Sequence, residues 1–239
     1  MSFWLGVILK DQVVLLIDRW EISLKSTRIP IPWFFRVKEK TKYLRLNDRC
    51  VFLPAGHVNT SEKLFEIFKN HFGDKPFLLE ELTHFQWEFK EEAARIWDPV
   101  KKANEEDCKR FGYGVGGVDV LLAGVDRSQV SFIINISDVD KFELHIYEQA
   151  GNWFSLPQGP AVDEMVGDGV REFLGAAMPL DERSQREEAK RRLGQLFLEV
   201  KRRNKFISSQ HDLLLIGNNT EVWSFSPLIG HYRRLRPPG

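Results

Sequence analysis

Strand-like and helix-like stretches come in blocks along this chain, and the order of the blocks restricts the folds open to it. Phe3, Leu5, Val7 and Leu9 alternate with their neighbours, Lys10-Asp11-Gln12 interrupts, and Val13-Val14-Leu15-Leu16-Ile17 resumes. Period-two alternation around a polar turn predicts a hairpin that begins with the first residues. From Trp20 to Lys40 the chain is aromatic and broken by prolines, which predicts a loop with irregular strands. Tyr43 to Leu46 and Cys50 to Leu53 then read as two short strands around the turn pair Asn47-Asp48. Asn59-Thr-Ser-Glu62 has the form of a capping box, so a helix is expected from there through Leu64, Phe65, Phe68 and Phe72 to a stop at Gly73. A second helix is expected from about Leu79 to Trp97, with Leu82, Phe85, Phe89, Ala93 and Ile96 on one face and Pro99 just beyond it.

The second half repeats the scheme. Val118 to Val125 and Val130 to Ile136 read as strands joined by Asp126-Arg-Ser-Gln129, and Phe142 to Tyr147 adds a third. Helices are expected at roughly Ala161 to Met178 and Asp181 to Lys205, and Leu213 to Ile216 and Val222 to Phe225 close the chain as strands. Strands, two helices, strands, two helices, strands: this order suits an α+β fold, a four-layer αββα sandwich of two stacked antiparallel sheets with helix pairs on both outer faces. The pattern alone also admits other α+β arrangements. We expect a single domain over residues 1–239, with a tail from about 227.

Composition narrows the function classes. Hydrophobic residues at 43% and charged residues at 28% describe a globular chain able to bury a core. Lys plus Arg (34) equals Asp plus Glu (34), so no global field draws in nucleic acid or anionic lipid, and neither is expected as a partner. The basic end, Arg233, Arg234 and Arg236, is short and is expected to be solvated. Cys50 and Cys108 lack a CxxC partner, so no disulfide framework or zinc site is expected and a reducing cytoplasm fits. No apolar run approaches a membrane span and no secretory leader opens the chain.

Three motifs carry less than they promise. Gly112-Tyr-Gly114-Val-Gly-Gly117 matches GxGxxG, but it precedes a strand instead of linking a strand to a helix, so a structural turn is expected. The six histidines show no HExxH and no close pairing, which predicts surface or packed side chains. The charge-rich run Asp181 to Arg192 is expected to be a solvated helix face.

The segment Ser2-Phe-Trp-Leu-Gly6-Val-Ile-Leu-Lys10-Asp11, continuing to Asp18-Arg19, resembles the mature N-terminus of proteasome β subunits and their bacterial relatives. There a nucleophilic Thr opens the chain, a Gly follows four residues later, a Lys-Asp turn comes next and an Asp-x-Arg element ends the second strand. Ala55-Gly56 leading into Leu64 to Phe68 resembles the family's passage from strand to first helix. Val120 to Asp126 resembles its central strand, and Lys201 to Ile216 has the rhythm of its last helix, catalytic loop and closing strand.

The resemblance implies an N-terminal-nucleophile hydrolase fold and places Ser2 where the nucleophile belongs. In such enzymes the hydroxyl attacks the carbonyl while the residue's own α-amine, of pKa about 7.7–8.0, takes the proton. Ser2 can serve only after Met1 is removed. Asp18 matches the buried acid that pairs with a lysine near the nucleophile; Lys42 is the expected lysine, with Lys40 as the alternative. Supporting positions depart from the family. Asn204 stands where an Asp supports the amine, and Ile207 where a loop serine is expected. The Ser-Gly turn that helps form the oxyanion site falls near Leu156-Pro157-Gln158-Gly159, where Pro157 has no N–H to give. Ser155, Ser208 or Ser209 are the compensators.

The resemblance further implies a subunit of a homo- or hetero-oligomeric ring, an N-terminal peptidase acting on polypeptide without metal or organic cofactor, and an ATP-dependent unfoldase or cap as partner. Two alternatives stand beside it: a catalytically inactive scaffold of the same fold, and a small-amide hydrolase of the wider superfamily.

Overall fold

In the computed structural model the described residues are 3–24, 35–39, 41–111, 117–156, 158–204, 207–227 and 230–235. The opening alternation folds as the expected hairpin, β1 (Trp4–Ile8) and β2 (Val13–Asp18), with Gly6 opposite Leu15. The hairpin sits inside a six-stranded antiparallel sheet of order β10-β1-β2-β11-β12-β13, completed by β10 (Trp153–Ser155), β11 (His211–Ile216), β12 (Thr220–Ser226) and β13 (His231–Leu235). A second antiparallel sheet, β5-β6-β7-β8-β9, contains β5 (Leu44–Asn47), β6 (Cys50–Gly56), β7 (Val118–Val125), β8 (Ser131–Ser137) and β9 (His145–Tyr147). The molecule is an α+β sandwich of two antiparallel sheets plus helices α1 (Val58–Phe72), α2 (Leu79–Phe111), α3 (Pro160–Ala177), α4 (Glu182–Glu188) and α5 (Gly194–Arg203).

The central strands read as unbroken apolar runs because both of their faces are covered. On β2, Val14 and Leu16 join a core with Val166, Val170 and Phe173 of α3 and Leu196, Phe197 and Val200 of α5. Val13, Leu15 and Ile17 point the other way, into a core shared with Val51, Leu53, Leu121 and Ile133 of the second sheet. On the second sheet Phe52, Val120, Leu122 and Ile134 pack with Leu64 and Phe68 of α1 and Leu82, Phe85, Phe89 and Ala93 of α2. A side-chain period of two thus sorts each strand between two cores. Gly6 allows the sheets to approach: a Cβ there would lie 2.9 Å from Ile133 Cδ1 and 3.0 Å from Leu15 Cδ2.

Several expectations are corrected. The stretch read as irregular holds a regular two-stranded hairpin, β3 (Trp20–Leu24) and β4 (Phe35–Glu39), with Trp20 opposite Glu39. The N-cap of α1 is His57, not Asn59: its Nδ1 accepts from Thr60 N at 3.3 Å, which starts the helix two residues earlier than the sequence signature suggests. Gly73 does end α1, at φ 64°. Helix α2 does not stop at Trp97 but runs through Pro99 to Phe111. Proline removes one backbone bond, yet Val100 beyond it still packs on the same core as Trp97, so apolar contact carries the helix across. The expected helix Asp181 to Lys205 is interrupted by a π-helical segment, Ala189–Leu193, between α4 and α5. The tail expected from about 227 contains β13, and its Arg234 pairs with Glu221 at 2.8 Å. Of the glycine-rich turn, residues 112–116 lie outside the described residues.

Gly56 ends β6 with φ at 83°, and a Cβ there would fall 1.8 Å from the carbonyl oxygen of Gly117. Neither the dihedral nor the backbone contact can relax through a side chain. Gly56→Ala is expected to cost about 2 kcal/mol or more of stability in denaturant unfolding.

Candidate active site

Asp18, the last residue of β2, is fully buried. Its Oδ1 accepts the backbone N–H of Phe3 at 2.9 Å and the ammonium of Lys42 at 2.8 Å, while its own N–H donates to the carbonyl of Phe3 at 3.0 Å. Lys42 arrives on the segment between β4 and β5 and keeps only 10% of its side chain exposed. A buried carboxylate is tolerable when it is paired and hydrogen-bonded, and both conditions are met here. The contact also fixes Phe3, which is held at both its N–H and its C=O. Of the two lysines the sequence left open, Lys42 is in contact with Asp18; Lys40 lies outside the described residues, as does Ser2, the residue before Phe3.

A row of side chains crosses the six-stranded sheet at this level. Phe3 faces Asp18, Asp18 is opposite His211, His211 opposite Phe225, and Phe225 opposite Tyr232. Phe197 of α5 lies over the row, 5.7 Å from the Phe3 ring and 4.2 Å from the His211 ring. His211 is fully buried and its Nε2 lies 2.6 Å from the Tyr232 hydroxyl. Burial pushes its pKa down to about 3, so it is a neutral, packed histidine.

Two loops meet beside the start of β1. Strand β10 runs antiparallel to β1, and Leu156 N–H donates to the carbonyl of Trp4 at 3.1 Å, which directs the chain beyond it towards Phe3. Pro157 lies outside the described residues. Past it, the N–H groups of Gln158 and Gly159 both donate to the carboxylate of Asp163 in the first turn of α3, at 2.8 and 3.2 Å. Asn204, at the end of α5, donates from Nδ2 to Gln158 Oε1 at 2.8 Å. Ile207 is buried in the core under α3 and α5. Ser208 is buried and accepts from Gln210 N–H at 2.9 Å; Ser209 is half-buried, and Ser155 is half-buried in β10 opposite Leu5.

This geometry brings Asp18, Lys42 and the chain start together, and it joins the two departing loops through an amide pair. Sequence reasoning missed Asp163, although a Gly-Pro helix start with an acid in its first turn signals a carboxylate aimed at the preceding N–H groups. It also missed the Gln158–Asn204 bond, for which no local signal exists. Among the described residues no group of histidine, cysteine and carboxylate side chains is arranged to hold a metal, and no helix is long and apolar enough to cross a membrane.

Two measurements check these contacts. Lys42→Met leaves Asp18 charged and buried without its cation, and is expected to cost about 3–5 kcal/mol in denaturant unfolding. For His211 the free value of 6.5 falls to about 3 in the fold, so on acidification the unfolded chain takes up a proton first. Stability is therefore lost as pH falls from about 6.5 to about 3, and the urea midpoint of the wild type should decline more steeply across that window than that of His211→Gln.

No family model and no curated protein matches the chain. Solved structures do. Anbu (ancestral beta-subunit) from Yersinia bercovieri aligns with a TM-score of 0.59 at 11% identity, over 98% of this chain and 87% of that one. A Gly-1 mutant of Anbu from Hyphomicrobium sp. strain MC1 aligns with a TM-score of 0.54 at 12% identity, over 99% and 88%. Another Anbu structure from that strain gives 0.51 at 12%, over 98% and 88%. At such identities the likeness establishes the fold alone: the chain shares the two-sheet sandwich of these Anbu structures.

Proposed function

We propose that this chain is a proteasome-β-like subunit of a homo- or hetero-oligomeric ring, with an N-terminal serine peptidase site at Ser2. The observation that carries the reading is the Lys42 ammonium, 2.8 Å from the buried Asp18, beside the pinned backbone of Phe3. In this reading the subunit is a four-layer αββα sandwich formed as one domain, and it works in the cytoplasm. The three cores, two of them joining helices to opposite sheets, support the layering. Removal of Met1 frees the Ser2 amine. The Ser2 hydroxyl then attacks a peptide carbonyl, its amine takes the proton, and the amine product leaves after protonation. Water hydrolyses the ester left on Ser2. Lys42 supplies positive charge beside the hydroxyl, and Asp18 holds the lysine in place. The substrate is unfolded polypeptide, delivered for folded proteins by an ATP-dependent unfoldase or cap.

A non-catalytic scaffold of the same fold is the second reading, and specific contacts favour it. The two backbone donors after Pro157 are already given to Asp163, and the position that would support the amine is a neutral amide, Asn204, bonded to Gln158. Donors spent on an internal carboxylate do not stabilise an oxyanion.

Intact mass together with an inhibitor that acylates N-terminal nucleophiles separates the two readings. The peptidase reading expects loss of Met1, a single adduct on Ser2, no adduct on Ser2→Ala, and peptide cleavage that disappears with it. A retained Met1, or a free Ser2 that resists labelling, leaves the scaffold. Turnover of a small non-peptide amide without peptide cleavage would move the assignment to the small-amide hydrolases.

A further inference from the structure

A second charged group lies behind Lys42, on the opposite face of the same strands. Asp212 on β11 is 1% exposed and sits between Ile17 of β2 and Ser224 of β12. Arg19, which follows Asp18 directly, turns to this face: its Nη1 lies 3.0 Å from Ser224 Oγ and 3.8 Å from Asp212 Oδ1. Neither Asp212 Oδ1 nor the buried Arg19 Nε has a hydrogen-bond partner. Tyr43, the neighbour of Lys42, is packed in the core between the sheets. Burial pushes its hydroxyl pKa up to about 12, with the negative charge of Asp212 adding to the rise and Arg45 and Arg19 opposing it. Tyr43 shares that core with Ile17, the residue opposite Asp212.

Buried polar atoms without partners are rare in folded proteins, and two on one ion pair call for a reason. Arg19 stands one residue from Asp18 and carries the same charge as Lys42. If its guanidinium swung to Asp18 it would compete for the carboxylate with better geometry than an ammonium offers. On the far face it meets the hydroxyl of Ser224 and the carboxylate of Asp212.

We propose that Asp212 is a positioning residue of the Asp18–Lys42 site: it retains Arg19 on the inter-sheet face, so that Lys42 is the cation that Asp18 receives. Its consequence for catalysis rests on the Ser2 peptidase reading; its consequence for the contact does not. Asp212 acts through other side chains, so removing its charge alters the neighbour's hydrogen bond without deleting any atom of the site.

The Phe3 amide reports on that hydrogen bond directly, because it donates to the same Oδ1 that receives Lys42. In protein labelled with 15N-phenylalanine, Asp212→Asn is expected to shift the Phe3 amide resonance, and Ser224→Ala to shift it less in the same direction. Ser224→Ala removes a single hydroxyl and keeps the measurement available should Asp212→Asn fail to fold. Ser2 labelling is expected to slow roughly tenfold in Asp212→Asn, within the hundredfold that a misplaced reacting group costs. An unmoved Phe3 resonance in both folded variants overturns the inference. A wild type that is never labelled at Ser2 overturns the peptidase reading alone, since the Phe3 shift still decides the role of Asp212.

Discussion

One buried carboxylate organises the start of this molecule. Asp18 is fully buried, so its charge must be met by protein groups, and among them are the backbone N–H of Phe3 and a lysine from a distant connection. That requirement fixes Phe3 in space, bonded through its N–H and its C=O to the end of β2. The hairpin β1–β2 is therefore both part of the core and the mount of the candidate site. Its rigidity is that of the sheet itself, which a functional group on a free loop would lack.

The two sheets are held close enough for this to work by the choice of small and large residues on facing strands. Gly6 leaves room for Ile133 and Leu15, and the apolar residues of β2 alternate between the helix-facing core and the core between the sheets. The row Phe3, Asp18, His211, Phe225, Tyr232 shows how polar groups enter such an interior. Each has a defined neighbour across the strand, and the neutral imidazole is closed off by aromatic rings and one hydroxyl. The ionic pair is confined to the sheet's end, where the lysine keeps a narrow opening to solvent.

Much of this was legible in the residues. Alternation from Phe3 to Leu9 and the apolar runs Val13 to Ile17, Val118 to Val125 and Val130 to Ile136 located the central strands, and helical spacing at Leu64 to Phe72 and Leu82 to Ala93 located the helices that cover one sheet. The pairing of Asp18 with Lys42 was readable only through a family resemblance, since the two are far apart in sequence and joined by a connection of unusual length. Weak or short elements escaped. The strands Trp153–Ser155 and His231–Leu235 are sheet edges whose pairing, not their composition, makes them strands. Pro99 misled because packing on both sides of a proline can outweigh one missing backbone bond. The bonds among Gln158, Asn204 and Asp163 depend on loops that meet only in the folded state.

The strand order β10-β1-β2-β11-β12-β13 carries a consequence for biosynthesis. The hairpin must wait for its neighbour: Val13 pairs with Ile216, so β2 has an open hydrogen-bonding edge until β11 has left the ribosome. Non-local pairing of this kind folds slowly, because a long loop must close before any contact rewards it. During that interval an apolar strand edge is exposed to other nascent chains. Production of this protein should thus depend on the speed of translation and on chaperones that shield such an edge, more than on the stability of the finished fold.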